Sequence, residues 1–167
     1  MLKKKKINTF HAIKCCIVIA MSMMFVLTGC HRETPHELYH TFEKQVWPRF
    51  DKVNFEIPIK TDNKSYDIVL FAYFTNDFPY ELLDVNMIMN TPSGEERINS
   101  FQMKVKNKAG TFVIPHEKDS YRGDILLKKE LFFSKAGILH IELENLIPRM
   151  QAEGILGVGI RLIPLGK

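Results

Sequence analysis

Two groups of histidine and acidic residues have types and spacing that could support chemistry. His36 and His40 are four residues apart, so on a helix both would lie on one face, which is a spacing that can bind a metal ion. The residues around them fit the two-residue period of a strand as well as the period of a helix, and no third ligand is obvious. Two surface histidines are therefore the simpler interpretation. Residues 116–119 read HEKD and could serve in general acid–base catalysis, although a charged turn between strands explains them more simply.

A third polar group lies in the segment GILHIELENL. His140, Glu142 and Glu144 alternate along it, so in a strand they would share one face. Such a face is usually the solvated face of a sheet, and a ligand groove there is the alternative. The sequence contains no P-loop, GxSxG, HExxH or paired CxxC motif. We therefore expect no catalytic residues, no metal site and no cofactor.

Cys30 ends the most hydrophobic stretch of the chain and predicts a covalent modification. Lysines at positions 3–6 and 14 precede 13 uncharged residues, Cys15 to Leu27, too few for a membrane-spanning helix of about 20 residues. This order is typical of a secretory signal peptide, and an uncleaved anchor fits it poorly. Residues 27–30 read LTGC and resemble the bacterial lipobox, whose cysteine carries a diacylglyceryl group. We expect a signal peptide over residues 1–29, a lipidated cysteine and tether over 30–36, and a domain over 37–167.

Cleavage would change the charge of the protein. The whole chain has 23 basic and 19 acidic residues, for a net charge of +4. Loss of the five lysines at positions 3, 4, 5, 6 and 14 leaves 18 basic residues against 19 acidic ones, so the net charge becomes −1. The mature domain therefore offers no overall basic charge for nucleic acid. Because Cys15 and Cys16 leave with the signal peptide and Cys30 carries lipid, no thiol remains for a disulfide.

Alternating apolar residues predict strands through most of the mature chain. VNFEIPI, LDVNMIM, INSFQMKV and GILHIELENL have a period of two, YDIVLFAYF is apolar on both faces, and ILGVGIRLI closes the domain. Pro58 places the first of these at an edge, whereas YDIVLFAYF is typical of a central strand. NTPSGEE predicts a hairpin loop, TFVI a short strand, residues 116–133 a long loop, and PRMQAEG a connecting turn. We expect an all-β fold, a single β-sandwich of about seven to eight mostly antiparallel strands.

Aromatic side chains gather in or near the predicted loops. The turn NDFPY contains a phenylalanine and a tyrosine, and a further tyrosine lies in the long loop. Exposed rings of this kind favour a surface that binds a sugar or a protein partner. The alternative is that they cap the open ends of the sandwich. The candidate partner-binding residues are Asn76, Asp77, Phe78, Tyr80 and Tyr121.

The order of several segments resembles the gliding-motility lipoprotein family GldH of Bacteroidetes. The lipobox LTGC comes first, followed by YDIVLFAYFTNDFPYELLDVNMIMNTPSGE, then RGDIL, and then GILHIELENLIPRMQAEGILGVGIRL. The chain departs from the family pattern at Phe78, where the family tends to have tyrosine, and at the segment ELL. The glycine-rich segment before GDI is reduced to Arg122-Gly123, so a partner surface formed by that loop would differ.

The resemblance implies a non-enzymatic lipoprotein, a structural or interaction component of a gliding or type IX secretion-linked assembly. Its partners would be the lipid bilayer, through the acylated Cys30, and envelope proteins of that apparatus. The resemblance implies an outer-membrane lipoprotein, and in this phylum those that reach the cell surface often carry an acid-rich stretch just after the cysteine. Here only Glu33 and Glu37 are acidic, so we expect the domain to face the periplasm, with surface exposure as the alternative. The alternative function is a lipid-anchored glycan- or ligand-binding β-sandwich module.

Overall fold

The computed structural model describes residues 35–60 and 64–165, which consist mainly of β-strands. The predicted signal peptide and Cys30 lie outside the described residues. A short 3₁₀ turn, Glu43–Gln45, separates the first two strands. The strands are β1 (His36–Thr41), β2 (Val46–Pro48), β3 (Val53–Ile59), β4 (Ser65–Phe74), β5 (Leu82–Asn90), β6 (Glu96–Lys104), β7 (His116–Glu117), β8 (Ser120–Phe132), β9 (Gly137–Asn145), β10 (Gln151–Glu153) and β11 (Ile155–Leu165).

The strands form two main antiparallel sheets. The larger sheet has five strands in the order β1-β11-β4-β8-β7, and the other has four in the order β3-β9-β5-β6. β2 and β10 form a small two-stranded sheet. Buried apolar side chains from both main sheets belong to one continuous core. The predicted all-β sandwich is therefore confirmed.

Strict alternation of apolar residues correctly located the strands of the four-stranded sheet. β9 alternates between buried and more exposed side chains along most of its length. β3 lies at the edge of this sheet, as Pro58 indicates, because proline has no N–H to donate to a second neighbour. In β5 every second side chain has no exposed surface: Leu83, Val85, Met87 and Met89.

The interpretation of residues 116–133 as a long loop is wrong. This segment forms β7 and β8, and β8 is the longest of the described strands, with 13 residues. β8 pairs along the whole of the central strand β4, and its register shifts twice, on either side of Ile68. Each bulge changes which face the next residue points to. The apolar residues of β8 therefore lack the two-residue period from which a strand is predicted.

Two shorter predictions also need correction. TFVI (residues 111–114) contributes a single bridge between Phe112 and Lys106 rather than a strand. PRMQAEG (residues 148–154) is more than a turn, because β10 lies within it and pairs with β2. The described residues contain eleven strands against the expected seven to eight or so, and the excess consists of β2, β7 and β10, which have two or three residues each.

The antiparallel topology gives the sandwich two distinct ends. β1 and β4 begin at one end, where β8 and β11 finish, and the hairpin loop at residues 91–95 lies there too. We call this the N-terminal end. The opposite end, which we call the distal end, carries the loops at residues 49–52, 75–81 and 146–150 together with the β7–β8 turn.

Candidate functional site

The residues predicted to bind a partner lie in or beside one loop of the distal end. Residues 75–81 connect β4 to β5, and the N–H of Phe78 donates to the carbonyl of Thr75 (3.2 Å) in a tight turn. Asn76 and Asp77 are exposed at the tip of this loop. Tyr80 is partly buried against the core. The exposed residues of the loop are therefore Asn76, Asp77, Pro79 and Glu81.

Phe78 has no exposed surface and cannot contact a partner. Its ring packs against Phe74, with ring centroids 4.6 Å apart, and against Tyr80 at 5.5 Å. The prediction of Phe78 as a partner-binding residue is therefore wrong. The alternative, that loop aromatics cap the end of the sandwich, holds for this ring. Phenylalanine suits the position, because the hydroxyl of a buried tyrosine would need a hydrogen-bond partner.

Tyr121 is brought next to the same loop by the β4–β8 ladder, in which it is opposite Phe74. Its ring stacks on Phe112, with centroids 3.6 Å apart, and the ring of His116 meets it at 4.8 Å. These contacts leave Tyr121 partly exposed. A partner at this loop would therefore reach Asn76 and Asp77 freely, but Tyr121 only in part.

The sequence alone did not indicate two apolar side chains that are exposed at the distal end. Phe50 is 70% exposed and Met150 is 68% exposed. They lie on adjoining loops, because the N–H of Arg49 donates to the carbonyl of Met150 (3.0 Å). Each stands alone among polar residues in the sequence, so no periodic pattern marks it. Because both side chains are exposed on adjoining loops, this part of the distal end is a candidate interaction site.

Buried hydrogen bonds fix the two loops that carry these side chains. Asn145 is fully buried and donates from Nδ2 to the carbonyl of Trp47 (3.1 Å). Its Oδ1 accepts from the N–H of Ile147 (2.8 Å). The indole N–H of Trp47 donates to the carbonyl of Asp51 (2.8 Å). Because the loops are held in place, less conformational entropy is lost when a partner binds.

The loop at residues 75–81 adjoins the same region. The N–H of Thr75 donates to the carbonyl of Gly154 (2.9 Å), which directly follows β10. The strand β10 in turn directly follows Met150. We use the name distal surface for four exposed side chains on these loops: Phe50, Asn76, Asp77 and Met150.

The outer face of the five-stranded sheet carries a cluster of aromatic rings. Tyr39 of β1 stacks on Phe71 of β4, with ring centroids 5.9 Å apart and planes at 13°. Tyr39 also meets the ring of Tyr73 nearly at right angles (5.6 Å, 84°). The strand β11 lies between β1 and β4 and has glycines beneath the rings. A Cβ at Gly157 would overlap with Tyr39, and one at Gly159 would overlap with Phe71. The two glycines therefore allow the rings to lie flat on the sheet.

Two arginines and two carboxylates border these rings. Arg122 donates to Asp124 (3.0 Å) and to the hydroxyl of Tyr73 (2.9 Å). Arg161 forms ion pairs with Asp124 and Glu37. Burial acts to lower the pKa of Arg122, but the hydrogen bond to Asp124 and the neighbouring charges raise it, and the net shift is upward. Both arginines are thus already engaged by carboxylates.

An open groove, which we call the outer groove, runs beside the rings. It has a volume of about 580 Å³, and it adjoins a hollow of about 500 Å³ with which it shares Tyr73, Ser120 and Leu156. Burial and the neighbouring Tyr73 raise the pKa of Tyr39, so its hydroxyl stays protonated at neutral pH. The other lining residues are Glu37, Tyr39 and Phe71 in the groove and Gln45, Thr75, Glu117, Lys118 and Asp119 in the hollow.

The outer face of the four-stranded sheet is a solvated polar face. Lys52 pairs with Glu142 (2.8 Å), and Glu56 lies 3.6 Å from His140. The two histidines of β1 lie on a strand, so the helical spacing considered for a metal ion does not arise. Within residues 35–60 and 64–165, no group of three or more histidine, cysteine, aspartate or glutamate side chains is placed to hold a metal ion.

Comparison with known proteins places this sandwich in a family of lipoproteins. The chain matches the GldH lipoprotein family over residues 36–162, a range that runs from the start of β1 into β11 and covers both main sheets. The chain therefore belongs to the GldH lipoprotein family. The resemblance drawn from the order of its segments is confirmed.

A similar protein is the gliding motility lipoprotein GldH of Flavobacterium johnsoniae. It is 23% identical over 149 residues, which cover 86% of this chain and 93% of that protein. No solved structure matches the chain. In the part of the chain that the structure describes, no helix has the length and apolar character needed to cross a membrane.

Proposed function

We propose that this chain is a non-enzymatic lipoprotein of the cell envelope that holds a partner protein near a membrane. Its membership of the GldH lipoprotein family supports the lipid anchor, and the similar protein of Flavobacterium johnsoniae is named a gliding motility lipoprotein. The partner would belong to a gliding or type IX secretion-linked assembly. Cys30 would carry the lipid, and the domain would sit at the outer membrane and face the periplasm.

The length of the tether supports an orientation in which the distal surface points away from the membrane. Cys30 precedes Pro35, the first described residue, by five positions, and five extended residues span about 17 Å at most. The N-terminal end, where β1 starts, would therefore lie close to the bilayer. The strand β4 has 10 residues, which corresponds to a height of about 33 Å. The distal surface would be presented at roughly that height.

The observation that carries this proposal is the exposed pair Phe50 and Met150 on rigid loops. Apolar side chains more than two-thirds exposed lose water when a partner covers them, and such anchors dominate the binding energy of protein interfaces. Asn76 and Asp77 would supply polar contacts at the rim of the same interface. The distal surface thus offers both apolar and polar exposed side chains, the two kinds of contact that protein interfaces use.

Replacing both Phe50 and Met150 by serine should weaken partner binding at least about tenfold, since the loss of an interface anchor costs about 2 kcal/mol or more. The measurement is the recovery of envelope proteins after crosslinking of intact cells and purification through a tag at Lys167. The urea midpoint of unfolding should stay unchanged, because both side chains are already exposed in the folded domain.

A matched control removes two equally apolar side chains elsewhere. Ile98 is 57% exposed and Phe132 is 53% exposed, and both lie outside the distal surface. Serine at both positions should leave the recovery of partners unchanged. If the two double variants lose partners to the same extent, or if neither loses any, the proposed role of the distal surface is wrong.

A further inference from the structure

The outer groove has features of a preformed binding site, and it plays no part in the role proposed for the distal surface. Its aromatic floor depends on Gly157 and Gly159, where any side chain would displace the rings of Tyr39 and Phe71. Its volume of about 580 Å³ falls in the usual range of ligand pockets, about 300–1,000 Å³. The groove lies on the face of the five-stranded sheet, whereas the distal surface lies on the end loops. We infer that the outer groove binds a neutral oligosaccharide.

The shape of the site fits a chain of sugar rings. The groove and its adjoining hollow extend along β4 from Phe71 to Thr75, a distance of about 13 Å at the rise of a β-strand. Phe71 is only 3% exposed and lies beneath the guanidinium of Arg122, so the apolar face of a sugar ring would stack on Tyr39, which is 44% exposed. A ligand that fills both parts would therefore be elongated.

The polar groups of the site suit a ligand that is rich in hydroxyl groups. Tyr39, Tyr73 and Ser120 bring hydroxyls to the groove, and Glu37 brings a carboxylate. In the hollow, the Oγ1 atom of Thr75 is buried and has no hydrogen-bond partner among the described residues. A buried polar atom without a partner is costly. If the Thr75 side chain rotated to bring Oγ1 to the surface of the hollow, a hydrogen bond from a ligand hydroxyl would remove that cost.

The same observations argue against other ligands. The charges of Arg122 and Arg161 are balanced by the carboxylates of Asp124 and Glu37, so the four groups together offer no net positive charge to a phosphate or sulfate group. An extended peptide would need free backbone groups, but β11 and β4 are paired on both sides within the sheet, and backbone groups do not point out of the face of a sheet. A fully apolar ligand would strip water from the hydroxyls without replacing their hydrogen bonds.

The test is calorimetric titration of the full-length lipidated protein in detergent. The probes are four neutral hexasaccharides, built of glucose, mannose, xylose or N-acetylglucosamine, with a galacturonate hexasaccharide as the charged comparison. At least one neutral probe should bind, and Tyr39→Ala should weaken it about tenfold, the upper range for an aromatic contact. Tyr39→Phe should keep most of the affinity because the ring remains. Thr75→Val should weaken binding severalfold without changing the size of the side chain.

Leu126→Ala is the matched control, because Leu126 is 48% exposed on the same sheet but does not line the groove. It should leave the affinity unchanged, as should serine at both Phe50 and Met150. The inference is overturned if no neutral probe binds, or if only the galacturonate probe binds. It is also overturned if affinity survives both Tyr39→Ala and Thr75→Val. A protein partner lost with Tyr39→Ala while no sugar binds would likewise overturn it and assign the groove to that partner.

Discussion

Replacement of Cys30 by alanine is expected to abolish lipid attachment completely. The predicted mature chain has no other cysteine, since Cys15 and Cys16 lie within the predicted signal peptide. Without the thiol, no diacylglyceryl group can be joined to the chain. Metabolic labelling with a fatty acid should therefore mark the wild-type protein and leave Cys30→Ala unmarked. The intact mass of the wild-type protein should correspond to a chain that starts at Cys30 and carries acyl groups.

A second arm of this experiment separates the lipid from the signal peptide. Residues 1–29 are replaced by a secretory signal without a lipobox, and Cys30→Ala is retained. The released domain should then be found in the soluble fraction, because acyl chains that contribute about 0.8 kcal/mol per buried methylene are missing. Cys16→Ala in the natural chain should keep its label. A labelled Cys30→Ala protein, or a released domain that stays in the membrane, would contradict anchoring through Cys30.

A single methyl group at Gly154 is expected to destabilise the domain by about 2–5 kcal/mol. Gly154 has a φ of +76°, and this left-handed conformation costs other residues about 1–2 kcal/mol. An added Cβ would also lie 2.6 Å from the Cα and 2.8 Å from the backbone nitrogen of Phe78. Such overpacking adds about 1–3 kcal/mol. The free energy of unfolding of Gly154→Ala in urea measures the sum.

Gly94→Ala separates the backbone conformation from the collision. Gly94 has a φ of +88°, and an added Cβ there would have no atom within 4 Å. Its cost should therefore be only the conformational part, about 1–2 kcal/mol. Equal destabilisation by the two variants would show that the loop at residues 75–81 does not pack on Gly154 as described.

The sequence predicted strands well where one face is buried and the register is regular. β5 alternates along its whole length and β9 along most of its length, so their apolar residues reveal both the strand and its buried face. β8 was missed because two bulges beside Ile68 interrupt its alternation, although its pairing with β4 makes it part of the central sheet. Pairing between distant strands leaves no local pattern in the sequence. A bulged strand therefore cannot be recognised from its own residues.

The candidate sites were less predictable than the fold. Loop composition marked the turn at residues 75–81, but it could not tell that Phe78 is buried beneath the turn. Phe50 and Met150 are 100 positions apart in the numbering, and only the pairing of β2 with β10 brings their loops together. The outer groove is assembled from β1, β4 and β8 across two glycines of β11. None of these strands carries a recognisable motif for it.

The most direct test of the proposed role places a photoreactive amino acid at Asn76 in intact cells. The control places it at Asn54, which is also exposed but lies on the outer face of the four-stranded sheet. We predict that illumination links position 76, and not position 54, to a defined envelope protein, and that the product is lost with Cys30→Ala. Equal crosslinking from both positions, or crosslinking from position 54 alone, would contradict partner binding at the distal surface.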